Sequence, residues 1–550
     1  MRSAELEKAR WRKRRIIYNN DGDDVIEARP DGVEHEHDVA EGLMVRKTGD
    51  TVQDFLDARS TPLIGSQVDS NWFASAMAGV RFSHHTKLGG FHGKGVPLEL
   101  VEKYGRDALE IQLDFSHEHG MEAAWCLRMN DVHDSFPMGS RRYTYGLSKF
   151  KRANPAYMMG QEGDWEKYGR GSVRCTWTRL DFAIPQVREH IFAIIEEVAK
   201  NYDVDLIGME FFKYWPFFRE SLDGDPVEPE HVEIMNDLLR RIRRMADDVA
   251  SRRGRPLLLA AHTPFSLKDC VHVGVDLETW LKEGLIDQFS PGGNYESPFR
   301  DSYTEIIALG HKYEIPVYPC LSWSLFWEHW VFLALSDGKY RQCDKWMDTL
   351  YGGQPERIGC PEYVTLFNGW EGSFPSWRGV AMNLLNAGAD GLYLFNPALG
   401  EPRVWREIGE VATMAGKVRL YGVDRFEGAN SFSFVSEVII DPVTPLSVGF
   451  QVGEDVGSVG ARSIDFSLHL WDWVGGDDLT VKLNGASVDG LEPADPDRNP
   501  VESQWLQGNL EAKQIQRGEN QLEVAVKKRG ESASSSIVLD TAQLRIRVES

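Results

Sequence analysis

The chain has no CxxC pair, and its six cysteines, Cys126, Cys175, Cys270, Cys320, Cys343 and Cys360, are scattered without a histidine at metal-ligand spacing. That excludes a zinc-finger-type centre and a dense disulfide framework, and most of these thiols are expected to be free. Long apolar runs are missing as well, so no bilayer-spanning segment is expected. The N-terminal stretch MRSAELEKARWRKRRIIYNN is basic but lacks the roughly 7–15-residue apolar run of a secretory signal. The chain as given reads as cytoplasmic, and a processed secreted form would read the same. Basic charge is in short supply: 61 Lys and Arg against 84 Asp and Glu give a net charge of −23. That argues against a nucleic-acid partner and against attraction to anionic membranes. No HExxH helix, Walker loop or GxGxxG turn after a strand occurs, so neither a metal nor a nucleotide cofactor is expected.

What is present is apolar material for large cores, 42% of 550 residues, enough for two or more domains. Over the first 400 or so residues, strand-like runs alternate with helical ones, the pattern of a parallel α/β architecture. Eight strands are predicted: Arg14 to Asp21, Thr61 to Asp69, Glu122 to Asp131, a fourth ending at Glu210, Pro256 to His262, Leu285 to Pro291, Ile315 to Trp323 and Asp390 to Pro397. A closed (β/α)8 TIM barrel over residues 1–416 is the economical reading. The loops after strands three and seven, Val132 to about Arg179 and Ser324 to about Glu371, are long enough to be functional. They and their flanks carry Trp165, Trp177, Trp323, Trp327, Trp330, Trp346 and Trp370, whose rings suit the CH faces of sugars or, alternatively, pack the loops down. One basic segment, Arg141, Arg142, Lys149, Lys151 and Arg152, reads as a solvated loop or as a holder of an anionic group.

After about Lys417 short alternating strands replace helices, among them SFSFVSEVII, DFSLHLWDW, LTVKLNG, NQLEVAVKKR and AQLRIRVES, separated by Gly, Asp and Pro turns. Residues 417–550 are therefore expected to form a C-terminal antiparallel β-sandwich without catalytic groups.

The strongest functional signal is DVDLIGMEFF, Asp203 to Phe212, a strand pattern that ends on the carboxylate of Glu210. Barrel enzymes build their sites from the C-terminal ends of their strands, which makes Glu210 the first catalytic candidate. Leu206, Gly208 and Glu210 share one face, as do Ala124, Cys126, Arg128 and Asn130, and Leu392, Leu394 and Asn396. A salt bridge from Glu210 to Lys213 or Arg128 is the structural alternative. Glycoside hydrolysis needs a second carboxylate. Glu296 and Asp131 are the main candidates for it, with Asp21, Glu328 and Glu371 behind them, whereas Asp287 reads as part of the barrel body. Substrate hydroxyls have prospective partners in Asp21, His84, Arg128, Asn130, His133, Lys213, His262, Asn294, Tyr295, Trp323 and Asn396.

The stretches RRIIYNNDGDD, LDFAIPQVREHIFAIIEEVAKNYDVDLIGMEFFKYWPFF, GVDLETWLKEGLIDQFSPG and RGVAMNLLNAGADGLYLFNP occur in this order over roughly residues 14 to 400. Together they resemble glycosyl-hydrolase-like barrel family ten and, more loosely, other retaining barrel glycosidases. LTVKLNGASVDG and RGENQLEVAVKKR resemble the jelly-roll modules that accompany many carbohydrate-active enzymes. The resemblance implies a glycoside hydrolase with a carbohydrate substrate and a two-carboxylate, retaining mechanism, and leaves the sugar open. The rivals are a catalytically silent carbohydrate-binding barrel and a barrel lyase or isomerase with His262 or His133 as base.

Overall fold

The computed structural model describes residues 4–22, 51–77, 81–91, 96–132, 134–135, 147–168, 173–292, 302–322, 374–397, 404–424, 439–440, 444–493, 503–533 and 536–548. Eight parallel strands form one sheet: β1 (Ile16–Asn20), β2 (Val68–Phe73), β3 (Glu122–Arg128), β4 (Leu206–Glu210), β5 (Leu258–Thr263), β6 (Gln288–Pro291), β7 (Cys320–Ser322) and β8 (Leu392–Phe395). Their order is β7-β8-β1-β2-β3-β4-β5-β6. The edges meet through a parallel bridge between Phe289 and Val317, where the Tyr318 N–H donates to the Phe289 carbonyl at 3.0 Å. Helix α1 (Ala4–Arg10) precedes the barrel. The helices α2 (Val52–Arg59), α3 (Ala108–Glu118), α4 (Pro185–Asn201), α5 (Pro229–Arg253), α6 (Leu277–Glu283), α7 (Thr304–Lys312) and α8 (Phe374–Asn386) each fall between consecutive strands. The molecule is a (β/α)8 barrel followed by a β-sandwich.

Strand two departs from expectation. Thr61–Leu63 is a single 3-10 turn with Pro62 in its first positions, and the strand begins only at Val68. Proline's fixed φ and missing N–H suit the start of a helical turn. The polar triplet Asp69, Ser70 and Asn71 disguises a strand that is nevertheless almost wholly buried.

Alternation along the strands separates the barrel interior from the helix-facing layer. Ile17, Trp72, Ala124, Cys126, Leu206, Ala260, Cys320, Tyr393 and Phe395 form the inner cluster, and Ile16, Tyr18, Trp125, Ile207, Met209, Leu392 and Leu394 pack outward. In β8 the inward face is thus Tyr393 and Phe395, not the Leu392 and Leu394 expected from the sequence, because Tyr393 is in register with inward Ile17. The Trp72 indole fills the centre against Gly208, where an added Cβ would lie 2.3 Å from the ring.

The floor of the barrel is charged yet paired. Arg14 donates from Nε to Glu122 Oε2 at 2.8 Å and from Nη2 to Glu122 Oε1 at 2.5 Å, both side chains being buried. Asp287 accepts from Arg10 Nη2 at 2.5 Å, from Arg243 Nη1 at 2.8 Å and from the Leu259 N–H at 3.0 Å. The basic N-terminal stretch therefore closes the barrel's lower end, and Asp287 belongs to the barrel body.

Two antiparallel sheets follow. β9 (Arg419–Asp424), β15 (Ile537–Val548), β11 (Ala461–Trp471) and β13 (Ser503–Asn509) pair in that order; β10 (Leu446–Val452), β14 (Gly518–Lys528) and β12 (Asp478–Leu483) make the second sheet. Phe450, Leu468, Leu522, Val524 and Leu544 are buried between them. Of the expected SFSFVSEVII strand only Ile439–Ile440 lies among the described residues. The sandwich packs on α8 so closely that a Cβ on Gly379 would stand 1.9 Å from the Leu420 carbonyl oxygen. Among the described residues no helix is long and apolar enough to cross a membrane.

The interior packing gives a first prediction. Gly208→Ala forces a methyl into the Trp72 ring and should cost about 1–3 kcal/mol, read as a lowered urea midpoint at unchanged m-value. An unchanged midpoint would show that Trp72 does not press on β4.

Candidate active site

β3, β4 and β5 pair in register, so Arg128, Glu210 and His262 stand side by side at the C-terminal ends of their strands. From across the barrel β1 contributes Asn19 and β8 contributes Tyr393. Glu210 Oε1 accepts from Asn19 Nδ2 at 3.0 Å and from the Tyr393 hydroxyl at 3.3 Å. Its Oε2 takes no hydrogen bond among the described residues and lies 3.6 Å from Arg128 Nε. Arg128 in turn donates from Nη1 to Asp131 Oδ2 at 3.2 Å and from Nη2 to Asp21 Oδ1. One guanidinium thus gathers three buried carboxylates, Asp21, Asp131 and Glu210.

The electrostatics differ from group to group. Burial pushes the Glu210 carboxyl above its ordinary range, against the pull of Arg128 and Lys213 and of the hydrogen bonds from Tyr393 and Asn19. Burial lowers His262 to about 3, so this imidazole is neutral at ordinary pH. Its ring stacks on Phe212 at 3.7 Å, and Nε2 lies 2.9 Å from the Gly292 carbonyl. A carbonyl only accepts, which puts the proton on Nε2 and leaves Nδ1 as a bare acceptor with no hydrogen bond among the described residues. Cys126 lies 3.2 Å from Asn19 Nδ2; burial and the Glu210 charge push its pKa well up, so it stays a neutral thiol.

Half-buried Lys213 lies 5.3 Å from the centre of the Phe395 ring, with Arg128 at 5.7 Å from the same ring. Half-buried Asn396, at a φ of 42°, accepts from Arg59 Nη1 at 2.7 Å and donates its N–H to the Asn19 carbonyl at 3.1 Å. These residues complete a rim of polar groups over the apolar layer of Trp72, Tyr393 and Phe395.

Two residues expected at the rim stand apart from it. Asn130 follows the end of β3 and is consumed by the loop: it accepts from the Leu180 N–H at 2.8 Å and donates to the Leu180 carbonyl at 3.0 Å. His84 lies fully buried on the outer side of β3, edge-on to Phe82, Trp125 and Tyr202, with Ser75 Oγ on its Nδ1. The basic segment contributes buried Lys151, which donates to Asp134 Oδ1 at 2.9 Å and to the Asp131 carbonyl at 3.0 Å and so anchors the long loop. Of the loop tryptophans, Trp177 is buried in the core and Trp165 is half-buried. His133, Asn294, Tyr295, Glu296, Trp323, Glu328 and Glu371 lie outside the described residues.

Asn19, Tyr393 and Arg59 are missing from the sequence expectations, and Cys126 enters them only as a member of the Arg128 face. For Asn19 the signal existed, since Ile17, Asn19 and Asp21 alternate as Leu206, Gly208 and Glu210 do. Among the described residues no group of three or more His, Cys, Asp or Glu is placed to hold a metal ion.

The raised Glu210 carboxyl carries a stability consequence. A carboxyl whose pKa is higher folded than unfolded contributes most below its unfolded value and loses that contribution as pH rises through the folded value. Glu210→Gln should therefore gain stability relative to wild type as pH rises from about 4 to 8. Parallel melting curves for the two proteins over that range would count against a raised carboxyl.

No curated protein matches the chain. Solved structures with similar arrangement include alpha-L-fucosidase isoenzyme 2 from Paenibacillus thiaminolyticus, with a TM-score of 0.40 and 12% identity over 75% of this chain and 52% of that one. A GH36 alpha-galactosidase from Geobacillus stearothermophilus has a TM-score of 0.33 and 10% identity over 98% and 56%. A cycloisomaltooligosaccharide glucanotransferase from Paenibacillus sp. has a TM-score of 0.30 and 10% identity over 97% and 57%. The chain spans just over half the length of these proteins. Residues 93–221, which run through β3 and β4 to Glu210 and the loop beyond it, match the family Glycosyl hydrolase-like 10.

Proposed function

We propose that the barrel hydrolyses a glycosidic bond of an oligo- or polysaccharide, with Glu210 as acid/base and Asp131 as the partner carboxylate. The observation that carries this reading is that one guanidinium, Arg128, holds both groups: Glu210 lies 3.6 Å from it with its carboxyl raised by burial, and Asp131 accepts from it at 3.2 Å. A carboxyl raised by burial suits the proton donor, and in this proposal its neighbour on Arg128 serves as the nucleophile. Protonated Glu210 gives its proton to the leaving oxygen while Asp131 attacks the anomeric carbon and forms a glycosyl-enzyme. Ionised Glu210 then takes a proton from water, which displaces Asp131 and restores both groups. Two displacements retain the anomeric configuration. Arg128, bound to both carboxylates and to Asp21, fixes their spacing, and Lys213, Asn396 and His262 are available to the sugar. Asp21 stands on the same guanidinium and is the alternative partner.

The lyase or isomerase reading with His262 as base fits less well, because a group with a pKa of about 3 draws protons weakly at neutral pH. A silent binding barrel would keep the rim without turnover. Release of reducing sugar from a panel of neutral and anionic glycans separates the two. Wild type is expected to turn over at least one glycan, with the β- or α-anomer of the substrate retained in the first product seen by proton NMR. Glu210→Gln should lower kcat by roughly 10²–10⁴, and Asp131→Asn should do so at least as strongly. Binding without release by the wild type would favour the silent barrel, and a fully active Glu210→Gln would remove Glu210 from the chemistry.

A further inference from the structure

The sandwich carries a groove of its own. Along β11, Ile464, Phe466 and Leu468 are buried between the sheets, which turns Asp465, Ser467 and His469 to the opposite face. Register with β13 and β15 lines them up in rows: Asn509, Asp465 and Arg545, then Gln507, Ser467 and Gln543, then Trp505 and His469. All of these but buried His469 line a cavity of about 460 Å³, within the size range of small-ligand sites.

Two features of this face are not those of a merely structural sheet. The first is charge. Arg547 Nε donates to Asp465 Oδ2 at 2.7 Å, so the acid opposite Arg545 in the register is already taken. Among the described residues no hydrogen bond or ion pair engages the half-buried Arg545 guanidinium; burial and the Arg547 charge lower its pKa, and the Asp465 charge opposes them. The second is the aromatic floor: half-buried Trp505 stacks on His469 with ring centres 4.7 Å apart at 29°, beside the amides of Gln507 and Gln543.

We infer that this groove binds an anionic oligosaccharide, with Arg545 holding a carboxylate or sulfate of the sugar and Trp505 lying against a pyranose face. A guanidinium takes either anion through two parallel hydrogen bonds, and a ring face takes the apolar CH face of a sugar. Gln507, Asn509 and Ser467 supply donors and acceptors for hydroxyls. The groove is independent of the barrel's chemistry, so this inference stands whether or not the barrel is catalytic.

Affinity electrophoresis of the whole chain through gels holding polygalacturonate, a sulfated galactan or neutral hydroxyethyl cellulose tests the assignment. Retardation by at least one acidic polymer and not by the neutral one is expected, and which acidic gel retards the chain separates carboxylate from sulfate. Bulk attraction is not an explanation at a net charge of −23. Arg545→Gln should weaken retardation about tenfold or more, the loss of one charged hydrogen-bonded contact, and Trp505→Ala should weaken it through loss of the ring face. If Arg545→Gln lowers the melting temperature, Arg545→Lys carries the test, since it keeps the charge, loses the two-pronged fit and should still bind more weakly. No retardation by either acidic polymer, equal retardation by the neutral one, or wild-type retardation of the folded Arg545 variant overturns the inference.

Discussion

The indole of Trp72 and the missing side chain of Gly208 are two halves of one constraint, and the upper barrel rests on it. A ring in the centre of an eight-stranded barrel is possible only where a neighbouring strand offers no Cβ, and β4 offers that at Gly208. Because side chains alternate, the same strand must turn its next inward residue, Glu210, to the layer above. Trp72 meets the Tyr393 ring edge-on with centres 5.2 Å apart, and the Tyr393 hydroxyl reaches Glu210. The apolar plug thus both supports the carboxyl and desolvates it.

The two ends of the barrel treat buried charge in opposite ways. At the floor, Glu122 and Asp287 receive several donors each, and although burial pushes Asp287 up, Arg243 and Arg10 outweigh it and hold it low. At the rim, Arg128 serves three acids at once, and Glu210 Oε2, Asn19 Oδ1 and His262 Nδ1 have no hydrogen bond among the described residues. Buried polar atoms are nearly always satisfied in folded proteins, so unsatisfied ones beside three buried carboxylates mark a candidate site, although Arg10 Nε, Arg243 Nε and both amide atoms of Gln288 towards the floor also have no hydrogen bond among the described residues. Both carboxylate oxygens of Glu122 and of Asp287 accept hydrogen bonds, whereas among the described residues Glu210 accepts through Oε1 alone.

Much of this was legible in the sequence because it follows period two. β4 begins and ends where the apolar run and its terminal carboxylate put it, and the inward set of Leu206, Gly208 and Glu210 is read directly from alternation. Reading failed where a local pattern was ambiguous. β2 hides behind polar residues that are satisfied inside the protein, Ser70 by Glu122 and Asn71 by Ser116. In β8 both faces are apolar, and only register with β1 selects Tyr393 over Leu394. His84 looked like a rim residue because a loop histidine is polar, yet its place is set by the aromatic pocket of Phe82, Trp125 and Tyr202. Glu296 and Tyr295 lie outside the described residues, and the proposed pairing of Glu210 with Asp131 is argued from their shared contact with Arg128.

In an isolated barrel the helices facing away from the strands meet water. α8 does not: Gly379 lies under the Leu420 carbonyl, Asn383 donates to the Gln451 carbonyl at 3.2 Å, and Arg378 donates to the Val418 carbonyl at 3.0 Å. Backbone from both sheets of the sandwich therefore serves as the outer coat of the last barrel helix, whose following strand carries Tyr393 and Phe395. A replacement neighbour would have to reproduce a surface shaped to bare backbone, so the barrel and the sandwich are coupled through α8 and not merely tethered.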